Sequence, residues 1–554
     1  MPGAVSSDPG PQAPHPSPRG SRRRGRVLVA AGLAGLLVLG GGVSAAFLRL
    51  RGAPERILSV IPASTDAVVV AYLDPAASQK LNLLRLQRRF PSFASSQRVR
   101  DRVNEALDAV LRPAGLGHGD VDWIGSEVAV AVDVRPPDDP SVELLLGVDD
   151  ARRADDTLRR LRAEPASNPS SWRSESHGGV DVWSGVDDSG GPEAMAIVDD
   201  VAVLSNSTSM VEATVDAAQG RVARLQDDAR FKDALSDLPD AKLGFAYANV
   251  AALVGGLDRD PAFGAATLGP GLGALGAVTT VAVSVSAQSD GFAIDTAQRY
   301  DRSKLTPEML AVLGRPPHVN PLLAAVPADA YAVIAQEHVD AALRALVGRL
   351  EAESPGAAAS LGAVGIDELV QALSGDLAIE VEAGRSTTPE AAILLGSSSD
   401  EHMQSELDRL AGAISASSGA SWRTERYGGA TIHVLTGGET ALPIAPAYAL
   451  LGHAAVIASS ESEIERIVDA SNGDPNITSS PVFGSASGDA AASDAMAFVD
   501  VQRVIGAIRG ALSPEQQAWF DRSLAPDLRN VVSLSFRSDD DVRGSRSRIF
   551  VRVR

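Results

Sequence analysis

Ser171-Trp172-Arg173-Ser174-Glu175, followed by Gly178-Gly179, returns 250 residues later as Ser421-Trp422-Arg423-Thr424-Glu425, followed by Gly428-Gly429. Trp occurs only five times in the 554 residues, so a shared Trp motif at one offset sets the frame for the rest. Working outward, Leu144–Gly147 answers Ile393–Gly396. Val201–Ser205 leads into Val211–Ala217, as Ala454–Ala458 leads into Ile464–Ala470. Ile61-Pro62-Ala63 answers Val326-Pro327-Ala328. The chain therefore reads as two repeats, 55–301 and 322–554, joined by a proline-rich linker, 302–321.

Each repeat carries the same succession of patterns. A short apolar strand opens it (67–73; 330–335), and an amphipathic helix follows. Val99, Val103, Leu107 and Val110 mark that helix in the first repeat, and Val339, Leu343, Leu346 and Leu350 mark it in the second. Val128, Val130, Val132 and Val134 then alternate with period two, as in a strand with one buried face. Each repeat closes on a strand pair, 278–287 with 291–299 and 530–537 with 547–553. Short polar turns between neighbouring strands imply antiparallel pairing. The expected class is α+β, two duplicated halves, each a mostly antiparallel sheet with helices on one face.

The N-terminus has a different character. Residues 1–26 hold six Pro and five Arg against one Asp, a net charge of +4, and read as a disordered basic tail. Val27–Leu48 then runs 22 residues without a charge, enough to cross a bilayer, with the Arg cluster keeping the N-terminus cytoplasmic. Val43-Ser44-Ala45 also offers a cleavage site, the alternative to a retained anchor. With a net charge of −20 overall, the rest of the chain carries −24 and would be repelled by phosphate backbones, which argues against nucleic-acid binding. Cysteine is absent, which excludes disulfides, thiolate catalysis and Cys-ligated zinc.

Ile61-Pro62-Ala63-Ser64-Thr65-Asp66-Ala67, continuing through Ser78-Gln79-Lys80 to Phe90-Pro91-Ser92-Phe93, resembles the opening of a large bacterial family catalogued only as a domain of unknown function. The resemblance implies an N-terminal transmembrane helix and an extracytoplasmic region of this length. It implies no substrate and no catalytic residue.

No chemical motif outranks its structural reading. Gly271-Leu272-Gly273-Ala274-Leu275-Gly276 fits a dinucleotide fingerprint in spelling, but a Val/Thr strand follows where a helix is needed. The eight His are scattered without H-E-x-x-H. Ser78 near Lys80 reads as a helix N-cap. Acidic pairs such as Asp199-Asp200 and the run Asp539-Asp540-Asp541 read as solvated turns, with weak Ca²⁺ binding the alternative. Trp172 and Trp422 read as aromatic anchors under their Gly-Gly turns. No catalytic, cofactor or metal residue is assigned. The expected protein is a single-pass, membrane-anchored, extracytoplasmic binding module, not an enzyme, with a protein, lipid or cell-wall partner. A tethered envelope hydrolase and an adhesive ectodomain are the alternatives. Oligomeric state is open.

Overall fold

The computed structural model describes residues 56–90, 105, 108–109, 111–120, 122–134, 140–163, 171–185, 194–257, 275–353, 365–384, 389–437, 445–488 and 492–554. The expected span Val27–Leu48, the helix-marking residues Val99, Val103, Leu107 and Val110, and Gly271–Ala274 lie outside them. Among the described residues no helix is long and apolar enough to cross a membrane.

Among the described residues the fold mixes helices with one antiparallel sheet of twenty strands. The first ten are β1 (Ala67–Tyr72), β2 (Ile124–Asp133), β3 (Ser141–Val148), β4 (Trp172–His177), β5 (Val180–Gly185), β6 (Ala194–Val198), β7 (Val201–Ser205), β8 (Gly244–Asn249), β9 (Val278–Gln288) and β10 (Gly291–Tyr300). The next ten are β11 (Ala332–Gln336), β12 (Leu373–Glu382), β13 (Glu390–Ser397), β14 (Ser421–Tyr427), β15 (Ala430–Thr436), β16 (Ala447–Leu451), β17 (Ala454–Ala458), β18 (Ala495–Asp500), β19 (Val531–Asp541) and β20 (Gly544–Val553). Hydrogen bonding runs β4-β5-β6-β7-β3-β2-β1-β8-β9-β10 in the first run. It runs β14-β15-β16-β17-β13-β12-β11-β18-β19-β20 in the second.

The runs meet where β10 pairs with β20. Gly291 lies opposite Arg552 at one end of this seam, Arg299 opposite Gly544 at the other, and Asp295 opposite Arg548 at its centre. Arg548 Nε donates to Asp295 Oδ1 at 2.5 Å. A Cβ on Gly291 would strike the Val551 carbonyl, and one on Gly544 the Gln298 carbonyl. Both ends of the seam therefore need glycine for close backbone approach.

Local chemistry accounts for the turns. Gly178 and Gly179 (φ 59° and 81°) and Gly428 and Gly429 (φ 52° and 90°) make two-residue hairpin connections that require positive φ. Asp199 and Asp200 adopt the same region (φ 45° and 60°), which Asp tolerates. The Asp539–Asp541 run, in contrast, is the end of β19 and not a turn, and burial raises the Asp540 carboxyl above its ordinary range. Pro307 and Pro321 do not interrupt the linker. They start helical turns, Pro307–Leu313 and Pro321–Ala324, where a missing N–H does no harm.

The expectation of helices on one face only is wrong. One core of the first run contains Val68, Val70 and Leu145 beneath the helix Thr208–Ala218; another contains Val130, Leu144 and Leu146 beneath the helix Ala151–Ala163. Leu144-Leu145-Leu146 presents apolar side chains to both faces of β3, so both need cover. The second run is likewise packed on two faces, by the helix Glu461–Ser471 on one and Asp400–Ser418 on the other.

Candidate functional site

β11 ends at Gln336, and the chain turns into the helix Val339–Glu353 through Glu337 and His338. His338 makes that turn in the left-handed region (φ 59°), which a non-glycine side chain adopts at some strain. The Glu337 N–H donates to the Asp494 carbonyl at 2.8 Å and so sets Glu337 beside the residue preceding β18. The His338 imidazole is nine-tenths buried between two carboxylates. Its Nε2 lies 3.6 Å from Asp494 Oδ1 and 3.8 Å from Glu337 Oε2, and among the described residues it has no hydrogen-bond partner.

His318, from the linker, closes the group. Its backbone N–H donates to Glu337 Oε1 and Oε2 at 3.0 and 3.1 Å. Its ring places Nδ1 3.1 Å from Glu337 Oε2 and Nε2 2.8 Å from Asp376 Oδ1. Asp494 is oriented by the Asp540 N–H, which donates to its Oδ2 at 2.7 Å. Burial pushes Glu337 up to about 7 despite the His318 donors that oppose it, and burial lowers His338. The matching ladder positions of the first run hold no such chemistry. There the Tyr72 N–H donates to the Leu243 carbonyl at 2.9 Å, and Leu73 follows.

A second acidic group lies under the helix Glu461–Ser471. Glu380 and Glu382 point from β12 to the same side as Glu463, and the three have essentially no exposed surface. Arg466 contacts Glu382 and Asp329. One cation cannot neutralise this many buried carboxylates, and burial pushes Glu380 up to about 7 and Glu382 and Glu463 up to about 9. The group is facing carboxyls of the kind a hydrolase uses, but sealed from any polymer substrate.

One face of the sheet carries a cross-strand apolar row. Ile294, Ile549, Phe536, Ala497, Ile334, Ile379, Ile393, Ile457 and Tyr448 stand opposite one another in succession from β10 to β16. Ile334, Ile393, Ile457 and Ile549 are 48, 40, 38 and 37 % exposed. In the first run the residues matching Ile379, Ile393, Ile457 and Tyr448, namely Val130, Leu144, Leu204 and Met195, are buried in a core that includes Leu111, Trp123 and Leu158, and Val69, which matches Ile334, is half-buried. The helix Asp400–Ser418 covers only the Tyr448 end of the open row.

The motifs singled out in the sequence fall elsewhere. Trp172 and Trp422 stand at the ends of their hairpins remote from the Gly-Gly turns. The Trp422 Nε1–H donates to the Ala411 carbonyl at 3.0 Å, and its ring meets Tyr448 edge-on, so it anchors a helix to the sheet and not a turn. Ser78 is inside the helix Ala77–Gln87, whose N-cap is Ala76 without a side-chain bond. Gly276 precedes β9, a strand, as expected. Glu337, His338, Asp494, His318 and Asp376 were not singled out, because the sheet brings them together from distant segments. Comparing the two runs position by position, with Glu337-His338 against Tyr72-Leu73, is the signal that exposes them.

No curated protein matches this chain. Two crystal forms of TP0453 are similar in part. Form III is 13% identical, with 48% of this chain and 90% of that chain covered and a TM-score of 0.23. Form IV is 12% identical, with 47% and 85% covered and a TM-score of 0.24. Residues 26–381 match the family described as "Protein of unknown function (DUF3352)", and the chain belongs to that family.

Proposed function

We propose that this protein is a membrane-anchored, extracytoplasmic binding module built from two duplicated halves, and that its second half takes the acyl chain of a lipid on the open sheet face. The observation that carries the reading is the apolar row, exposed at Ile393 and Ile457 where Leu144 and Leu204 of the first run are buried, and at Ile334 where Val69 is half-buried. From β20 to β17 the row crosses seven strands, about 29 Å at the usual strand spacing, which suits one extended acyl chain. Exposed contiguous apolar surface of this kind marks interaction sites. The Val27–Leu48 segment would hold the module beside its lipid source. The matching strand order of the two runs supports the duplication.

The test is binding of a fluorescent long-chain fatty acid to the full-length protein in detergent. Ile393→Asp with Ile457→Lys, which sets opposite charges across the β13–β17 pair, is expected to reduce binding at least tenfold while the melting temperature changes little, since both side chains are more than a third exposed. Unchanged binding in that variant refutes the reading. A tethered hydrolase is less well supported, because its facing carboxyls, Glu380, Glu382 and Glu463, are buried.

A further inference from the structure

Glu337, His338 and Asp494 each offer one donor atom, and those atoms lie within 4.8 Å of one another. Their separations are informative. His338 Nε2 stands 3.6 and 3.8 Å from its two carboxylate neighbours, too far for a hydrogen bond. Zinc–ligand bonds of about 2.1 Å in a tetrahedron put the donors roughly 3.4 Å apart, close to the spacing here. A buried imidazole nitrogen with no partner is otherwise an unfavourable thing to keep.

We propose that Glu337, His338 and Asp494 bind one divalent transition-metal ion of the zinc class, with water in the fourth position. A nitrogen donor together with two carboxylates favours zinc over Ca²⁺ or Mg²⁺, which prefer all-oxygen sites. His318 Nδ1 lies 3.1 Å from Glu337 Oε2, while Asp376 holds the opposite ring nitrogen at 2.8 Å. Asp376 thereby orients His318, which in turn holds the Glu337 carboxylate through its backbone N–H and its ring. Asp376 is thus a positioning residue, as is Asp540, whose N–H fixes Asp494. The left-handed His338 backbone fits the same purpose, since it directs the ring between the carboxylates. General scaffolding does not require the group, because the first run builds the same ladder with Tyr72, Leu73 and Leu243. This site is separate from the apolar row and does not depend on lipid binding.

The experiment uses the full-length protein in detergent, stripped with EDTA and titrated with ZnCl₂ or CaCl₂ against a chelating dye. One equivalent of Zn²⁺ is expected to bind at least 100-fold more tightly than Ca²⁺. His338→Gly, which accepts the positive φ without strain, should keep or raise the metal-free melting temperature and lose tight zinc binding. Glu337→Gln with Asp494→Asn should also lose it, and Asp376→Asn should weaken it about tenfold. Co²⁺ should give visible tetrahedral absorption bands in the wild-type protein and none in His338→Gly. The proposal is overturned if the wild-type protein binds zinc no better than His338→Gly. It is equally overturned if one tight equivalent survives in the Glu337/Asp494 variant, which would assign the ion to exposed pairs such as His453–Asp400 or His118–Asp108.

Discussion

Glu143, on β3, has no exposed surface, and among the described residues its two oxygens accept only from the Thr214 hydroxyl, at 3.1 and 2.9 Å. Desolvation outweighs that bond and pushes the carboxyl from the ordinary 4.5 up to about 8. The folded protein therefore holds a proton that the unfolded chain releases above 4.5. Stability is intact below that point and falls as pH rises toward 8, by about 1.4 kcal/mol per unit for this group. Glu143→Gln keeps a neutral acceptor for Thr214 and removes the titration. Its advantage in urea melts is expected to grow steadily between pH 5 and pH 8. Equal pH profiles for variant and wild type would contradict the assignment. Glu380, raised by burial to about 7, and Glu382 and Glu463, raised to about 9, carry the same sign of dependence, the last two to higher pH than Glu143.

Among the elements, β10 and β20 are the most demanding. Either Gly291→Val or Gly544→Val forces a side chain into the opposite strand's backbone. Each is expected to destabilise by roughly 1–3 kcal/mol, read from denaturant midpoints, where the same change at the open Gly179 turn acts through its positive φ alone. The strands themselves were legible: β9 spells its pleat in Val-Thr-Thr-Val-Ala-Val-Ser-Val, and the Gly-Gly hairpins mark their own turns. The two-faced packing was less so, since an apolar run such as Leu144-Leu145-Leu146 fits a one-faced strand only if its pattern is read loosely. The candidate metal site was hidden for a different reason. Glu337 and Asp494 become neighbours only through the β11–β18 ladder, and His318 only because Pro321 begins a turn that brings the linker back.

For the whole molecule, the two runs share one sheet, so neither has a closed edge without the other. Separately produced segments 55–301 and 302–554 are expected to form a 1:1 complex on mixing, more stable to heat than either alone. Size-exclusion chromatography with light scattering would detect it, and independent monomers of undiminished stability would argue that the seam is incidental. Arg548→Asp should weaken the complex by setting two carboxylates together at the seam centre, and adding Asp295→Arg should restore much of it. Removing residues 1–54 should release the protein from membranes on fractionation, as a tether at Val27–Leu48 requires.

The Asp295–Arg548 contact also bears on the proposed duplication. In a symmetric pair of identical halves, the residue at the middle of such an antiparallel join faces its own copy. Neither an aspartate nor an arginine is comfortable there. If the halves descend from one self-associating ancestor, opposite charges at this point could arise only after the two copies were encoded in one gene and free to diverge. The contact then marks the moment when a reversible partnership became a permanent one. Related chains that retain an uncharged residue at both positions would preserve the older condition.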